Sequence, residues 1–225
     1  ELGDGTTINS FTPVQVKGVG GSGVLTGVTS VSAGGYHSMA VTPTGLYAWG
    51  DNAGGQLGIG TTIDSLTPVQ VKGVGGSGFL SGVTKVSCGT YHSLAVTPSG
   101  VFAWGINHVG QLGDGTTTNF STPVQEKGVG GAGVLAGVMG VSSFSDTTLV
   151  TSADGILAWG LNGLGVLGDG TNQMRTAPVL GANFIPLSVE FGSSPASSIS
   201  LVGADMLAVS PSLPAGTVNI TGSAS

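Results

Sequence analysis

Four copies of one short segment mark this chain as a repeat protein. The segment that begins at Leu2 reads LGDGTT, and it returns with small changes at residues 57–62, 112–117 and 167–172, in steps of 55 residues. Residues 1–55 and 56–110 differ at only 16 positions. Similarity this close predicts near-identical local structures that stack on one another and share a continuous core.

The composition favours short strands rather than helices. Glycine provides 43 of the 225 residues, and each glycine inside a helix costs about 1 kcal/mol. Charged residues make up 7% and hydrophobic residues 40%, a balance that excludes intrinsic disorder. Glycine and proline interrupt every apolar run, so no segment reaches the roughly 18 residues of a membrane-spanning helix. We therefore expect an all-β chain without a membrane span.

Each repeat divides into four short extended pieces separated by turn residues. In the first repeat, three of them follow one another at residues 28–32, 38–42 and 45–50, and a T-P-T-G turn predicts a hairpin between the last two. The fourth piece, residues 13–17, begins with proline, as the outer edge strand of a sheet can. The glycine-rich residues 18–23 predict a flexible connector. Four strands per repeat are typical of a β-propeller blade.

Three motifs recur in order and in register in the first two repeats. They are G-x-x-H-S, W-G-x-N and G-Q-L-G, and their large side chains are His37, Trp49, His92 and Trp104. Together they resemble the repeat of the regulator of chromosome condensation family. The resemblance covers residues 1 to about 172, and it implies a β-propeller, usually of seven blades.

Three departures from this pattern bear on the architecture. In the third copy Thr147 stands in place of the histidine, and Val166 stands in place of the glutamine. The W-G segment occurs three times, which is too few for a closed ring of seven blades. Glu1 aligns with Gln56, so the chain begins inside a repeat. We expect about three blades in residues 1–172, as an excerpt of a longer blade-rich protein or as chains that complete one another's sheets.

The 55-residue period stops after Thr171, and residues 173–225 form a different unit. Within it, residues 181–184, 188–192 and 214–220 resemble the second half of an immunoglobulin-like IPT/TIG domain. The alternative is a degenerate terminal blade that has diverged because it caps the array. Both interpretations describe a β segment.

Histidine, tryptophan and cysteine side chains raise the question of catalysis. His37 and His92 occupy equivalent positions on two blades, which favours a structural role at the blade junction over that of a base or metal ligand. We interpret the single cysteine, Cys88, as a small buried side chain rather than a reactive thiol. The tryptophans are interpreted as inter-blade core rather than a stacking surface; they are Trp49, Trp104 and Trp159. We predict no catalytic, cofactor-binding or metal-binding residue.

The loops that follow the W-G segments differ between the copies. Loops that vary on a repeated scaffold are typical of a binding surface. We therefore predict the interaction surface in these loops. Its candidate residues are Asp51, Asn52, Ala53, Ile106, Asn107, His108, Leu161 and Asn162.

The charges argue against a nucleic-acid partner. The chain carries 5 basic and 11 acidic residues, for a formal net charge of −6, and its cations are scattered. Binding of a phosphate backbone needs clustered cations. We expect a protein partner instead, or a second copy of this chain.

The leading functional hypothesis is a non-enzymatic module for protein interaction, within a larger bacterial secreted or cell-surface protein. Low lysine and high serine, threonine and glycine contents support the extracellular expectation. One alternative is self-assembly, in which the exposed blade edge near Glu1 pairs with a neighbour by strand addition. The resemblance implies a second alternative, guanine-nucleotide exchange on a small GTPase. A secreted inhibitor or ligand-binding propeller is the third.

Overall fold

Three antiparallel sheets of four strands each are formed by the repeats. The computed structural model describes residues 2–181, 190–192 and 217–219. Blade 1 contains β1 (Ser30–Ala33), β2 (His37–Thr42), β3 (Gly45–Gly50) and β4 (Ser65–Gln70). Blade 2 contains β5 (Lys85–Cys88), β6 (His92–Thr97), β7 (Gly100–Gly105) and β8 (Phe120–Gln125). Blade 3 contains β9 (Val138–Phe144), β10 (Thr147–Ser152), β11 (Gly155–Gly160) and β12 (Arg175–Leu180).

The strands of each blade pair in chain order, so every blade is a simple meander. This arrangement confirms the prediction of an all-β fold built from four-stranded units. The helices within the described residues are short 3-10 turns, and none has the length and apolarity to cross a membrane.

A two-residue turn joins the second and third strands of blade 1. Thr42 pairs with Gly45 across Pro43 and Thr44. The Thr42 hydroxyl accepts a hydrogen bond from the Thr44 amide at 3.2 Å, and the side chain of Gln70 in the outer strand donates to the Thr44 carbonyl at 3.2 Å. Gly45 has a φ of 143°, a conformation that favours glycine. Proline and glycine therefore set this turn, as its sequence predicts.

The outer strand of each blade comes from the following 55-residue copy. We expected residues 13–17 to form the outer strand beside residues 28–50, but this assignment was wrong, because β4 closes that blade. Among the described residues, 13–17 contribute an isolated bridge between Lys17 and Val24. A sequence period gives the length of a unit, and strand pairing decides where the unit begins.

The glycine-rich connectors are hydrogen-bonded turns rather than flexible links. Each contains a short 3-10 helix: Val19–Gly21, Val74–Gly76 and Val129–Gly131. In the first, the Gly18 amide donates to the Gly23 carbonyl at 3.1 Å, and the Gly21 amide donates to the Gly18 carbonyl at 2.9 Å. A Cβ on Gly18 would lie 2.1 Å from the Ser22 carbonyl oxygen, so this close approach requires glycine. Composition reveals the glycines and not the bonds that fix them.

The hydrophobic core lies between the blades. Between blades 1 and 2, the large buried side chains include Met39, Leu46, Phe102 and Trp104. The equivalent positions between blades 2 and 3 are Leu94, Val101, Leu157 and Trp159. Burying one such side chain contributes roughly 1.5–3 kcal/mol. Each blade is therefore stabilised mainly by its neighbours.

The chain divides into two compact units, Glu1–Phe184 and Ile185–Ser225. In the first unit, β12 continues blade 3 beyond residue 172, where we had predicted the end of the repeats. In the second unit, β13 (Glu190–Gly192) pairs antiparallel with β14 (Thr217–Asn219). The immunoglobulin-like and degenerate-blade predictions otherwise concern residues that lie outside the described ranges.

Candidate interaction surface

The two ends of the blades carry different kinds of connection. Because neighbouring strands run in opposite directions, the turn after the first strand and the loop after the third strand lie at the same end of each blade. We call this the loop end: residues 34–36, 51–64, 89–91, 106–119, 145–146 and 161–174. The opposite hairpin end includes the turns at residues 43–44, 98–99 and 153–154, and parts of the connectors between blades lie beside the first two turns. The candidate residues predicted from the sequence all lie at the loop end.

The three asparagines among these candidates are buried and do not form a contact surface. Asn52, Asn107 and Asn162 are each 0% exposed. The Asn52 amide group donates to the Thr61 carbonyl at 2.9 Å, and its oxygen accepts from the Leu57 amide at 2.9 Å. Equivalent bonds hold the other two loops. Assigning these asparagines to the interaction surface was wrong, because they satisfy their hydrogen bonds on the loop backbone.

A hydrogen-bonded network fastens each blade to the next. The Ser93 hydroxyl donates to the Gln56 carbonyl at 2.8 Å, and the indole N–H of Trp104 donates to the same carbonyl at 2.9 Å. His37 Nε2 lies 2.7 Å from the Ser93 hydroxyl. Since the Ser93 hydroxyl donates its proton to the Gln56 carbonyl, His37 Nε2 is the donor in its bond with Ser93. The second junction repeats the network with His92, Thr148, Gln111 and Trp159.

Burial keeps both junction histidines neutral. It lowers the pKa of His37 to about 4 and, with a smaller contribution from the charge of His37, the pKa of His92 to about 3. Neither Nδ1 atom has a hydrogen-bond partner among the described residues. That same part of the chain contains no group of three or more His, Cys, Asp and Glu side chains that could hold a metal ion. The geometry places these histidines between blades.

Trp104 and Trp159 lie in the same junctions, whereas Trp49 lies against Gly3 on the other side of blade 1. Trp104 and Trp159 are 0% exposed, and Trp49 is 6% exposed. An aromatic platform for sugars needs an open ring face. These three rings instead contact neighbouring backbone and side chains, so they offer no stacking surface.

The remaining candidate residues are accessible and differ from blade to blade. Ala53 and His108 are exposed at equivalent positions, and Leu161 is 41% exposed. Asp51 and Ile106 are half-buried. These five side chains present small, polar, acidic and apolar groups on one repeated backbone. Their role in binding stays a prediction.

Two exposed apolar side chains of the third loop were missed in the sequence. Leu164 is 93% exposed and Val166 is 52% exposed. In blade 1, the Gln56 side-chain oxygen accepts a hydrogen bond from the Gly54 amide at 2.8 Å, which ties that loop inward. Valine cannot form this bond. The equivalent Gln56 and Gln111 are buried against the following blade, and the described residues place no such blade beside Val166.

A pair of stacked tyrosines at the loop end was also missed. The rings of Tyr36 and Tyr91 have centroids 5.1 Å apart and planes at 20° to each other. Tyr36 is 50% exposed. Asp146 occupies the equivalent position in blade 3. The signal in the sequence was the residue that directly precedes His37, His92 or Thr147, because this residue is a tyrosine in the first two copies.

The family of the repeats follows from these motifs and the three blades together. The family model of the regulator of chromosome condensation (RCC1) repeat matches residues 1–41, 45–96 and 99–143. A second model of the RCC1 repeat matches residues 28–56 and 83–111. The chain belongs to the RCC1 repeat family.

Curated relatives of this RCC1-repeat chain include receptors and ligases. The ultraviolet-B receptor UVR8 of Arabidopsis thaliana is 31% identical over 181 residues, which are 80% of this chain and 39% of the receptor. The E3 ubiquitin-protein ligase HERC2 of Homo sapiens is 28% identical over 174 residues, which are 76% of this chain and 4% of the ligase. The chain spans less than half the length of either relative.

Solved structures show the same fold. Human WBSCR16 shares 30% sequence identity and a TM-score of 0.54, over 67% of this chain and 38% of that protein. Prp20p from Saccharomyces cerevisiae, described with its binding to Gsp1p and histones, shares 18% identity and a TM-score of 0.57, over 71% of this chain and 39% of that protein. These similarities confirm that the RCC1 repeats form β-propeller blades.

Proposed function

We propose that this RCC1-repeat chain is a non-enzymatic protein-interaction module that binds its partner at the loop end. One observation carries the proposal. The motif side chains are used in buried contacts between and within blades, whereas several accessible side chains of the loops after the third strands differ between the copies, among them Asp51, Ile106 and Leu161 at one equivalent position. A rigid scaffold with varied loops at one end is suited to recognition.

The hairpin end is the less suitable surface. Its turns read Pro43-Thr44, Pro98-Ser99 and Ala153-Asp154, and the first two are nearly the same. Each turn exposes one small apolar and one polar residue, and Thr42 and Thr97 bond back to their own turns. Exposed aromatic and large apolar side chains, which supply most binding energy at interfaces, include Tyr36, Leu161 and Leu164 at the loop end, while Phe79 of a connector lies beside the first hairpin turn.

A matched pair of alanine variants tests the proposal. Ala53 at the loop end and Ala153 at the hairpin end are both exposed. Ala53→Glu combined with Leu161→Glu should abolish capture of a partner from the source cell, whereas Ala153→Glu should not. Proteins retained by the wild type and by Ala153→Glu would be identified, purified and titrated. Equal binding by all three chains would contradict binding at the loop end.

Self-association is a second candidate, favoured by the exposed face of blade 1. Val31 is 68% exposed, whereas Val86, its equivalent in blade 2, is 9% exposed because blade 1 covers it. The face that contains Val31 therefore has the composition of a blade junction, and the described residues place no blade beside it. Molar mass by light scattering over a range of concentrations tests this. A mass that rises with concentration, and that Val31→Glu reduces, would support self-association, and a constant monomer mass would exclude it.

A further inference from the structure

The tyrosine pair belongs to a rigid row of three side chains at the loop end. The Gly35 amide donates to the Gly89 carbonyl at 3.2 Å, and the Thr90 amide donates to the Ser145 carbonyl at 3.0 Å. These bonds fasten the turn of each blade to that of the next. The row of Tyr36, Tyr91 and Asp146 is therefore set by the backbone before any partner arrives.

Two carboxylates flank the stacked rings and are held in place by glutamines. The Asp51 amide donates to the Tyr36 carbonyl at 2.9 Å, and the Asp51 carboxylate accepts from the Gln56 side chain at 2.6 Å. In the next blade, Gln111 reaches across the junction and donates to the Asp146 carboxylate at 3.0 Å. Asp51 is thus fixed beside Tyr36 in blade 1, and Asp146 is fixed at the position equivalent to Tyr36 in blade 3.

The surroundings of the rings are electrically negative. The pKa of the Tyr91 hydroxyl is raised by burial, by its hydrogen bond with Tyr36, and by the negative charges of Asp51 and Asp146. Within the described residues, the one ion pair joins Arg175 to Asp169. No cation of that part of the chain lies within ion-pair distance of either carboxylate that flanks the rings.

We propose that this row is a subsite for a lysine- or arginine-bearing segment of the partner, with the cation over the tyrosine pair and between Asp51 and Asp146. The face of an aromatic ring attracts a cation, and the carboxylates add to that attraction. The formal net charge of −6 favours approach by a basic segment. This inference rests on the proposed function and names the chemistry of the partner at the loop end.

The test uses a defined probe, the acetylated and amidated peptide Gly-Arg-Gly-Arg-Gly with a fluorescent label. Its affinity is measured by fluorescence anisotropy against peptides in which glutamine or glutamate replaces arginine. We expect the arginine peptide to bind, the glutamine peptide to bind more weakly and the glutamate peptide not to bind. Higher salt should weaken binding of the arginine peptide, because the carboxylates are accessible to solvent ions.

Ring and charge variants separate a specific subsite from general attraction. Tyr36→Leu with Tyr91→Leu should weaken binding of the arginine peptide roughly fivefold, whereas Tyr36→Phe with Tyr91→Phe should retain it because the ring faces remain. Asp146→Asn should weaken it about two- to threefold. Asp154→Asn, which removes a carboxylate from the hairpin end, is the matched charge control and should have little effect.

Three results would overturn the subsite. They are equal binding of the arginine and glutamate peptides, wild-type affinity in the leucine variant, and equal losses in Asp146→Asn and Asp154→Asn. A leucine variant that fails to fold leaves the phenylalanine and asparagine variants to decide the question. If loop-end variants abolish capture of a protein partner while the peptide result is negative, the proposed function stands and the basic chemistry of its partner is wrong.

Discussion

The two blade junctions use equivalent positions of the repeat but bury different side chains. Between blades 1 and 2, Val71 is 0% exposed and Cys88 is 5% exposed. One repeat later these positions carry Glu126 and Ser143. Glu126 is also 0% exposed, and neither its carboxylate oxygens nor the Ser143 hydroxyl has a hydrogen-bond partner among the described residues. The second junction therefore contains buried polar groups where the first is apolar.

The backbone at these positions is nevertheless the same in both junctions. The Val71 amide donates to the Leu46 carbonyl at 2.9 Å, and the Glu126 amide donates to the Val101 carbonyl at 3.0 Å. Burial, with a smaller contribution from the charge of Asp114, raises the pKa of the Glu126 carboxyl well above its ordinary value. The comparison teaches that main-chain bonds fix the shape of a junction, while the buried side chains determine how stable it is.

The largest effect is expected when the first junction is given the side chain of the second. Val71→Glu should lower the free energy of unfolding by about 4 kcal/mol at neutral pH, because it buries a carboxyl group without a partner. Urea unfolding followed by tryptophan fluorescence measures this. Val16→Glu is the matched control, since Val16 occupies the same repeat position but is only half-buried. Equal losses in both variants would contradict the role of burial.

The reverse exchange should stabilise the chain. Glu126→Val should raise the free energy of unfolding by about 2 kcal/mol at neutral pH, because it removes an unsatisfied buried group from a site that accepts valine in the first junction. Glu126→Gln keeps the polar group without its titration and should gain less. A destabilised Glu126→Val protein in the same urea experiment would show that the carboxyl has a partner.

The sequence was sufficient to predict the repeated four-stranded blades. It was insufficient to predict which side chains are buried between them. Period, turn residues and motifs predicted four-stranded blades, because those features are local. Glu126 lies in the segment TPVQEKG, where the first two copies read TPVQVKG. A single charged residue in such a segment is ordinarily exposed. Its burial depends on the neighbouring blade, and strand pairing between copies is not visible in a period.

The side-chain contacts of the candidate surface were also only partly predictable from the sequence. The loops predicted from repeat variation do lie at one end of the blades, yet Asn52 within them is buried. Tyr36 and Asp146 were missed because they lie in the turns before the motif positions, far along the chain from the loops. Tyr36 is brought to Asp51 by a bond within blade 1, and Asp146 is brought to Gln111 by a bond between blades. Variation along a sequence locates loops, whereas the side chains that meet there are set by the packing of the sheets.

The pH dependence of stability should separate the histidines from Glu126. Burial raises the pKa of the Glu126 carboxyl in the folded state, so stability falls as the pH rises above the ordinary carboxyl pKa of 4.5. His37 and His92 have folded-state pKa values of about 4 and about 3, below the ordinary 6.5, so stability also falls as the pH drops below 6.5.

Urea unfolding of the wild type and Glu126→Val over this pH range measures both effects. The stability advantage of Glu126→Val should grow as the pH rises from 4.5, while the loss of stability on the acid side should be the same in both proteins. An advantage that does not change with pH would mean that the Glu126 carboxyl titrates equally in the folded and unfolded states.

The smallest effect on stability is expected at the second position that differs between the junctions, which is Cys88 in the first and Ser143 in the second. Burial raises the pKa of the Cys88 thiol to about 12, so the side chain stays protonated and acts as a small apolar group. Cys88→Ser should therefore lower the free energy of unfolding by about 1 kcal/mol, and Ser143→Cys should raise it by about the same amount. Both are measured by urea unfolding under reducing conditions. If Cys88→Ser is destabilising but Ser143→Cys has no effect, the Ser143 hydroxyl is bonded to water, and the polarity of the second junction is confined to Glu126.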